Sequence, residues 1–283
     1  MPRTISCPVA AHADVASSVA GMAALREEAV PGAPALPPRF LRHADEHTVV
    51  GIRAVQKALA ALETRGPVTA GRHDRFAVVA APCGAGRPAS ARTLVGLRDG
   101  GPVTVSPHVV PQCSLHAVAS AVSVGLGIHG PNIGVGGGPE AISEAFVTAL
   151  ALLDEPEVEG CWLVLTAWDD EPTLAADGAA PADAVCRGVA LALDRAATGA
   201  LRLVLRTVPM LAAVHDGEAG PEPGHDESLA TFAAMLDRAG RTGVRPFDCD
   251  GCLWTLRLGW GALVTLERDA AGLTMPEPRR IAA

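Results

Sequence analysis

SPHVVPQCSLHAVASAVSVGLGIHGPNIGVGGGPEAISEAFVTALALL, running from Ser106 to Leu153, is the stretch whose reading decides the fold. Small and apolar residues on every side of a segment from roughly Leu115 to Val124 predict a helix enclosed by protein. His129-Gly130-Pro131-Asn132 is a dense turn signal, and Ile133 to Val135 is a short apolar run that fits a central strand. Gly136-Gly137-Gly138-Pro139-Glu140 follows, and then a second apolar segment that predicts another buried helix.

The glycines let the backbone take conformations closed to other residues and let neighbouring groups come close. Pro139 suits a first helical position, where an N–H would have no partner, and a carboxylate at Glu140 complements the positive end of a helix. Strand, sharp glycine turn and buried helix make a nucleophile elbow. No nucleophile occupies it.

Working outward, Thr4 to Ala10 is a candidate first strand, Pro31 to Pro38 a proline-rich connector, and Asp45 to Leu62 a helix with apolar residues at helical spacing. Arg75 to Ala80 reads as a strand buried on both faces, ending in the turn Ala81-Pro82-Cys83-Gly84-Ala85-Gly86. Ala89 to Leu97 reads as a helix. Beyond the elbow, Cys161 to Ala167, Gly188 to Leu193 and Leu201 to Val208 read as strands. Glu227 to Ala239 reads as an amphipathic helix, and Leu253 to Leu258 with Ala262 to Leu266 as a hairpin around Gly259-Trp260-Gly261. Strands separated by helices over this length indicate an α/β layered fold with a mixed sheet and buried helices.

At 283 residues and 49% hydrophobic content the chain is long enough for one large core. A formal net charge of −8 with no basic cluster argues against a nucleic-acid partner. The apolar runs are too short to span a bilayer, and no apolar segment of signal-peptide type precedes Arg26-Glu27-Glu28, so the expected compartment is the cytoplasm. Seven scattered cysteines fit reduced conditions, in which cysteine serves as a small core residue.

The motifs Ser106-Pro107 and Leu126-Gly127-Ile128-His129-Gly130-Pro131-Asn132, the small-residue helix between them and the short strand after them resemble the N-terminal half of the β-ketoacyl synthases, condensing enzymes of the thiolase superfamily. The resemblance covers roughly Pro37 to Val208. It implies a thiolase-like layered fold, with 1–208 as a ketosynthase-like half and 209–283 as a C-terminal extension packed on the same domain. In that family the strand leads to a catalytic cysteine at a helix N-terminus, and counting from Gly-Pro-Asn places it at Pro139 or Glu140. Neither forms a thioester, and proline lacks the N–H that would help to bind an oxyanion.

The resemblance therefore implies the inactive, chain-length-factor-like branch, a subunit without independent activity inside a β-ketoacyl synthase complex. It implies a heterodimer with a catalytic ketosynthase, or failing that a homodimer, with acyl carrier protein engaged indirectly. Neither nucleic acid, membrane, cofactor nor metal is expected. The interface and acyl tunnel would include His129, Ile133, Gly136, Gly137, Gly138, Glu140 and Phe146.

An alternative is a small acyl-transfer enzyme using Cys113 and His116, whose spacing of three on one helix would permit a thiolate–imidazole pair. Other features have plainer meanings. Cys249-Asp250-Gly251-Cys252 is a lone CxxC without the second ligand pair zinc needs. Asp169, Asp170 and Glu171 read as a solvated acidic loop. Gly134 to Pro139 lacks the third glycine of a dinucleotide-binding turn. His215 and His225 lie in a polar loop of the extension with no flanking strand pattern.

Overall fold

Eight strands form one mixed sheet in a computed structural model that describes residues 4–63, 73–138, 140–198, 201–207, 228–240, 252–258 and 262–268. The strands are β1 (Thr4–Ser18), β2 (Ala77–Pro82), β3 (Asn132–Gly134), β4 (Gly160–Trp168), β5 (Val185–Asp194), β6 (Leu201–Thr207), β7 (Cys252–Arg257) and β8 (Ala262–Arg268). The helices are α1 (Met22–Glu27), α2 (Glu46–Glu63), α3 (Arg87–Gly100), α4 (Val109–Gln112), α5 (Ala117–Leu126), α6 (Ala141–Leu152) and α7 (Leu229–Gly240).

The sheet order is β3-β2-β4-β5-β1-β6-β8-β7. β3, β2 and β4 are parallel to one another, and every other pairing is antiparallel. Helices cover both faces of the parallel part, which is why β2 and β4 are continuous apolar runs rather than alternating ones. Along β4 the side chains divide strictly by register. Trp162, Val164 and Trp168 join α2 and α5 in one core, while Cys161, Leu163, Leu165 and Ala167 join α6 and α7 in the other.

β1 is much longer than the expected Thr4 to Ala10. Its first residues pair with β6 and its later ones with β5, so one strand joins the two parts of the sheet. Its second half, AHADVASS, carries His12 and Asp14, which masks the strand in the sequence. Arg187 of β5 answers that polarity. It grips Asp169 through two hydrogen bonds of 2.8 Å and reaches Asp14 at 3.3 Å.

β3 was expected at the centre and instead forms an outer edge, pairing with β2 alone among the described residues. α7, β7 and β8 share the α6 core through Phe232, Leu236, Leu256 and Val264. The hairpin β7–β8 is paired as expected, and its turn at 259–261 lies outside the described residues. No helix among the described residues is long and apolar enough to cross a membrane.

Candidate functional site

Parallel neighbours bring the C-terminal ends of β2, β3 and β4 to one edge of the sheet, the usual place for a site in an α/β fold. Three connections meet there. The loop after β3 donates its Val135 N–H to Ala80 of β2 at 2.9 Å, and Gly84 in the loop after β2 donates to the Gly137 carbonyl at 3.3 Å. Glu171, after β4, lies over Gly84 and pairs with Arg87.

The elbow is built by glycine. Gly136 (φ +74°) and Gly137 (φ +111°) both lie in the left-handed half of backbone space. A Cβ on Gly136 would sit 2.5 Å from Ala141 Cα, and one on Gly137 would sit 2.5 Å from Leu115. Side chains there would push the turn off both α6 and the segment leading into α5. The Ala141 N–H bonds to the Gly138 carbonyl at 3.1 Å, which closes the turn and starts α6 at Ala141. Pro139, the expected place of the missing nucleophile, lies outside the described residues. Glu140 follows it, is exposed, and makes no capping hydrogen bond with its side chain.

Beside the elbow runs an open groove of about 580 Å³, walled by Val135, Glu140, Ser143, Glu144, Val147, Thr148 and Leu258. Val135, Val147 and Leu258 supply apolar lining, and two carboxylates and two hydroxyls supply polar lining. No imidazole stands among these walls beside Ser143. Ser143, Glu144 and Thr148 had no place in the sequence reading. Their signal was there, because 140, 143, 144, 147 and 148 share one helical face.

Phe146 is the expected tunnel residue that the structure moves elsewhere. It is fully buried, 5.5 Å from the ring of Phe232 and 5.5 Å from that of Trp254, and it does not line the groove. Those aromatic neighbours come from α7 and β7, a long way on in the chain, so its burial was not visible from its own segment. Ile133 is half-buried on the edge strand β3. His129 is exposed, and its backbone N–H donates to the Asp74 carbonyl at 2.5 Å.

Cys113 and His116 do not share a helix. Cys113 caps the C-terminus of α4 and His116 precedes α5, with a turn between them. Cys113 Sγ points to the Gly86 carbonyl at 3.7 Å, and no hydrogen bond joins it to His116. Cys83, at the end of β2, packs against the α6 core, and burial pushes its thiol up, away from the reactive thiolate. Asp169 is held by Arg187 and Glu171 by Arg87, so the acidic loop spends two of its carboxylates on ion pairs. Of the CxxC, only Cys252 is described, and its thiol lies 3.3 Å from Thr255 Oγ1. His215, His225 and Cys249 lie outside the described residues.

Leu94, Leu97, Val103, Val110, Leu115 and Val124 are the exposed large hydrophobic residues among those described, and all six fall between residues 94 and 124. The first helix of the decisive stretch is therefore not enclosed as expected. α5 buries Val118, Val122 and Leu126 but leaves Val124 72% exposed.

No family model matches the chain, and no curated protein is similar to it in sequence. Solved structures are. A chain of the complex of the ketosynthase ApeO with its chain length factor ApeC from Xenorhabdus doucetiae superposes with a TM-score of 0.52 at 13% identity, over 93% of this chain and 100% of that one. The β-ketoacyl synthase from Burkholderia phymatum STM815 gives 0.46 at 17% identity, over 69% of this chain and 59% of that one. The ishigamide ketosynthase/chain length factor gives 0.48 at 17% identity, over 70% and 65%. The chain thus spans less than two thirds of the length of these last two. On the strength of the first of the three, the chain has the thiolase-like layered fold found in ketosynthases.

Proposed function

We propose that the chain is a non-catalytic, chain-length-factor-like subunit that pairs with an active ketosynthase in fatty-acid or polyketide-type biosynthesis and helps to shape the acyl pocket. The observation that carries this reading is the elbow. It leads from β3 to α6 by way of Gly136 and Gly137, both at positive φ, and from Val135 to Ala141 the sequence offers no thiol, hydroxyl or imidazole. Cys113 and His116, the alternative acyl-transfer pair, lie in different elements and are not bonded to each other.

The apolar surface from Leu94 to Val124 and the open edge of β3 support a partner, because exposed patches of this kind mark interfaces. His129, Ile133, Gly136, Gly137, Gly138 and Glu140 border the proposed contact, and the groove beside Glu140 receives or bounds the acyl chain there. Residues 209–283 are assigned to the same domain as an extension. An acidic carrier protein docks on the catalytic partner rather than on this chain, whose formal charge is −8.

The test joins two measurements. Purified alone and incubated with acyl thioesters of coenzyme A or carrier protein, the chain gains no acyl mass. Co-expressed with its cognate ketosynthase, it elutes as a heterodimer. An acyl adduct that Cys113→Ala abolishes would replace this reading with the acyl-transfer one. A monomer that ignores the ketosynthase would remove the partner.

A further inference from the structure

A second concavity lies far from the elbow in sequence, where the proline-rich connector after α1 folds over α2 and encloses about 450 Å³. That volume is in the range of small-molecule sites. Its wall holds four arginines, Arg26, Arg39, Arg42 and Arg53, against two acids, Glu27 and Glu28. In a chain of net charge −8 this is a local excess of positive charge.

Two of the arginines are fixed. Arg53 is buried on α2 and donates to the Leu25 carbonyl at 3.0 Å, the Arg26 carbonyl at 2.8 Å and Gln56 Oε1 at 2.7 Å. Arg26 donates to the Ala44 carbonyl at 3.0 Å, and Gln56 Nε2 pins the connector through the Pro34 carbonyl at 2.7 Å. All these acceptors are neutral, so the hydrogen bonds orient the guanidiniums without cancelling their charge. Desolvation holds the Arg53 guanidinium below its ordinary pKa, against the opposing pull of Glu28 and Glu27.

The other two arginines are at the rim. Arg39 and Arg42 are exposed, and neither side chain has a hydrogen-bond or ion-pair partner among the described residues. Arg39 is the only non-glycine residue described with positive φ, +62°. Such a conformation costs on the order of 1 kcal/mol and persists where the surroundings enforce it. Here the neighbours do so. Leu41 is buried, and Phe40 packs against the core beneath α2. Arg39 and Arg42 both line the cavity, as do Val30 and Leu36, which supply apolar wall.

We propose that this cavity binds a small phosphate monoester with a compact apolar body, its head between Arg39 and Arg42 and its body against Val30 and Leu36. Glu27 and Glu28 offset two of the four positive charges, which leaves the two that match a dianionic head. Forked guanidiniums suit phosphate oxygens in a way that lysine does not.

Titration calorimetry on the full chain, with phenyl phosphate, inorganic phosphate and phenol as probes, tests the proposal. Phenyl phosphate binds at one site and more tightly than inorganic phosphate, and phenol gives no heat. The double variant Arg39→Ala/Arg42→Ala weakens phenyl phosphate at least tenfold. Glu28→Gln tightens it severalfold, a change of the opposite sign to any folding damage. No saturable binding, or a double variant that keeps its affinity, overturns the proposal. So does an acidic carrier protein held by Arg39 and Arg42 when phenyl phosphate is not bound.

Discussion

The helices on either side of the elbow, α5 and α6, are both built largely from small and apolar residues and differ in what lies against their outer faces. Both read from the sequence as enclosed. α6 packs on β2 and β4 and seats Phe146 against α7 and β7, while Ser143, Glu144, Val147 and Thr148 border the open groove. α5 packs on α2 and β2 with one face only and turns Val124 to solvent. An apolar residue is placed by its partners, and the exposed face of α5 around Val124 is where the proposed second subunit would pack.

Substitutions on the two helices separate stability from association. Phe146→Ala should have the largest effect, a loss of about 3 to 5 kcal/mol in denaturant melts, because it empties an aromatic cluster between α6, α7 and β7. Its association with a ketosynthase, measured where the variant is still folded, should be unchanged. If Phe146→Ala is stable and alters product length instead, α6 rather than α5 faces the partner.

Next in size is Gly136→Ala. The new Cβ meets Ala141 Cα in a backbone with φ +74°, so about 1 to 3 kcal/mol should be lost. Val124→Asp should change monomer stability by no more than about 0.5 kcal/mol, as for other exposed sites. The same substitution should weaken pairing with the ketosynthase at least tenfold in sedimentation or co-elution. Unaltered pairing would show that the exposed face of α5 is not the interface.

The smallest effect is one of pH, on the α2 side of the sheet. His47 is fully buried, with Nδ1 3.0 Å from Thr166 Oγ1 and its ring edge-on to Trp168. Desolvation lowers its pKa from the ordinary 6.5, against the opposing pull of Asp45 and Glu46. The unfolded chain therefore takes up this proton first. Stability should be complete above about pH 6.5 and should fall as the pH drops from there towards the lowered native value. Thermal melts between pH 8 and pH 5 should show the decline, and His47→Gln should flatten it.

The parts of the fold that were legible were those whose partners lie close in sequence or whose burial is two-sided. β2, β4 and β5 stand out as apolar runs because helices cover both faces, and the β7–β8 hairpin stands out through short-range alternation. The second half of β1 was missed because a charge that belongs to a strand pair, Asp14 with Arg187, looks like loop polarity until β5 is in place. The spacing of Cys113 and His116 suits one helix, but α4 stops at Gln112 and a turn intervenes. At the site, the glycine turn between β3 and α6 was readable residue by residue. The groove was not, because Leu258 reaches it from the far end of the chain.

The double pairing of β1 bears on the order in which the molecule can be made. Thr4 to Pro8 pair with Arg202 to Arg206 of β6, and the stretch from Val9 to Ser18 pairs with β5. Until those strands have been synthesised, β1 is a long, partly apolar segment with both edges open. Closing so distant a contact is slow, because the loop entropy is lost before the pairing returns any stability. During that wait the segment is the part of the chain most exposed to pairing with another copy of itself. Slowing translation after β4 should therefore raise aggregation far more than slowing it after β6.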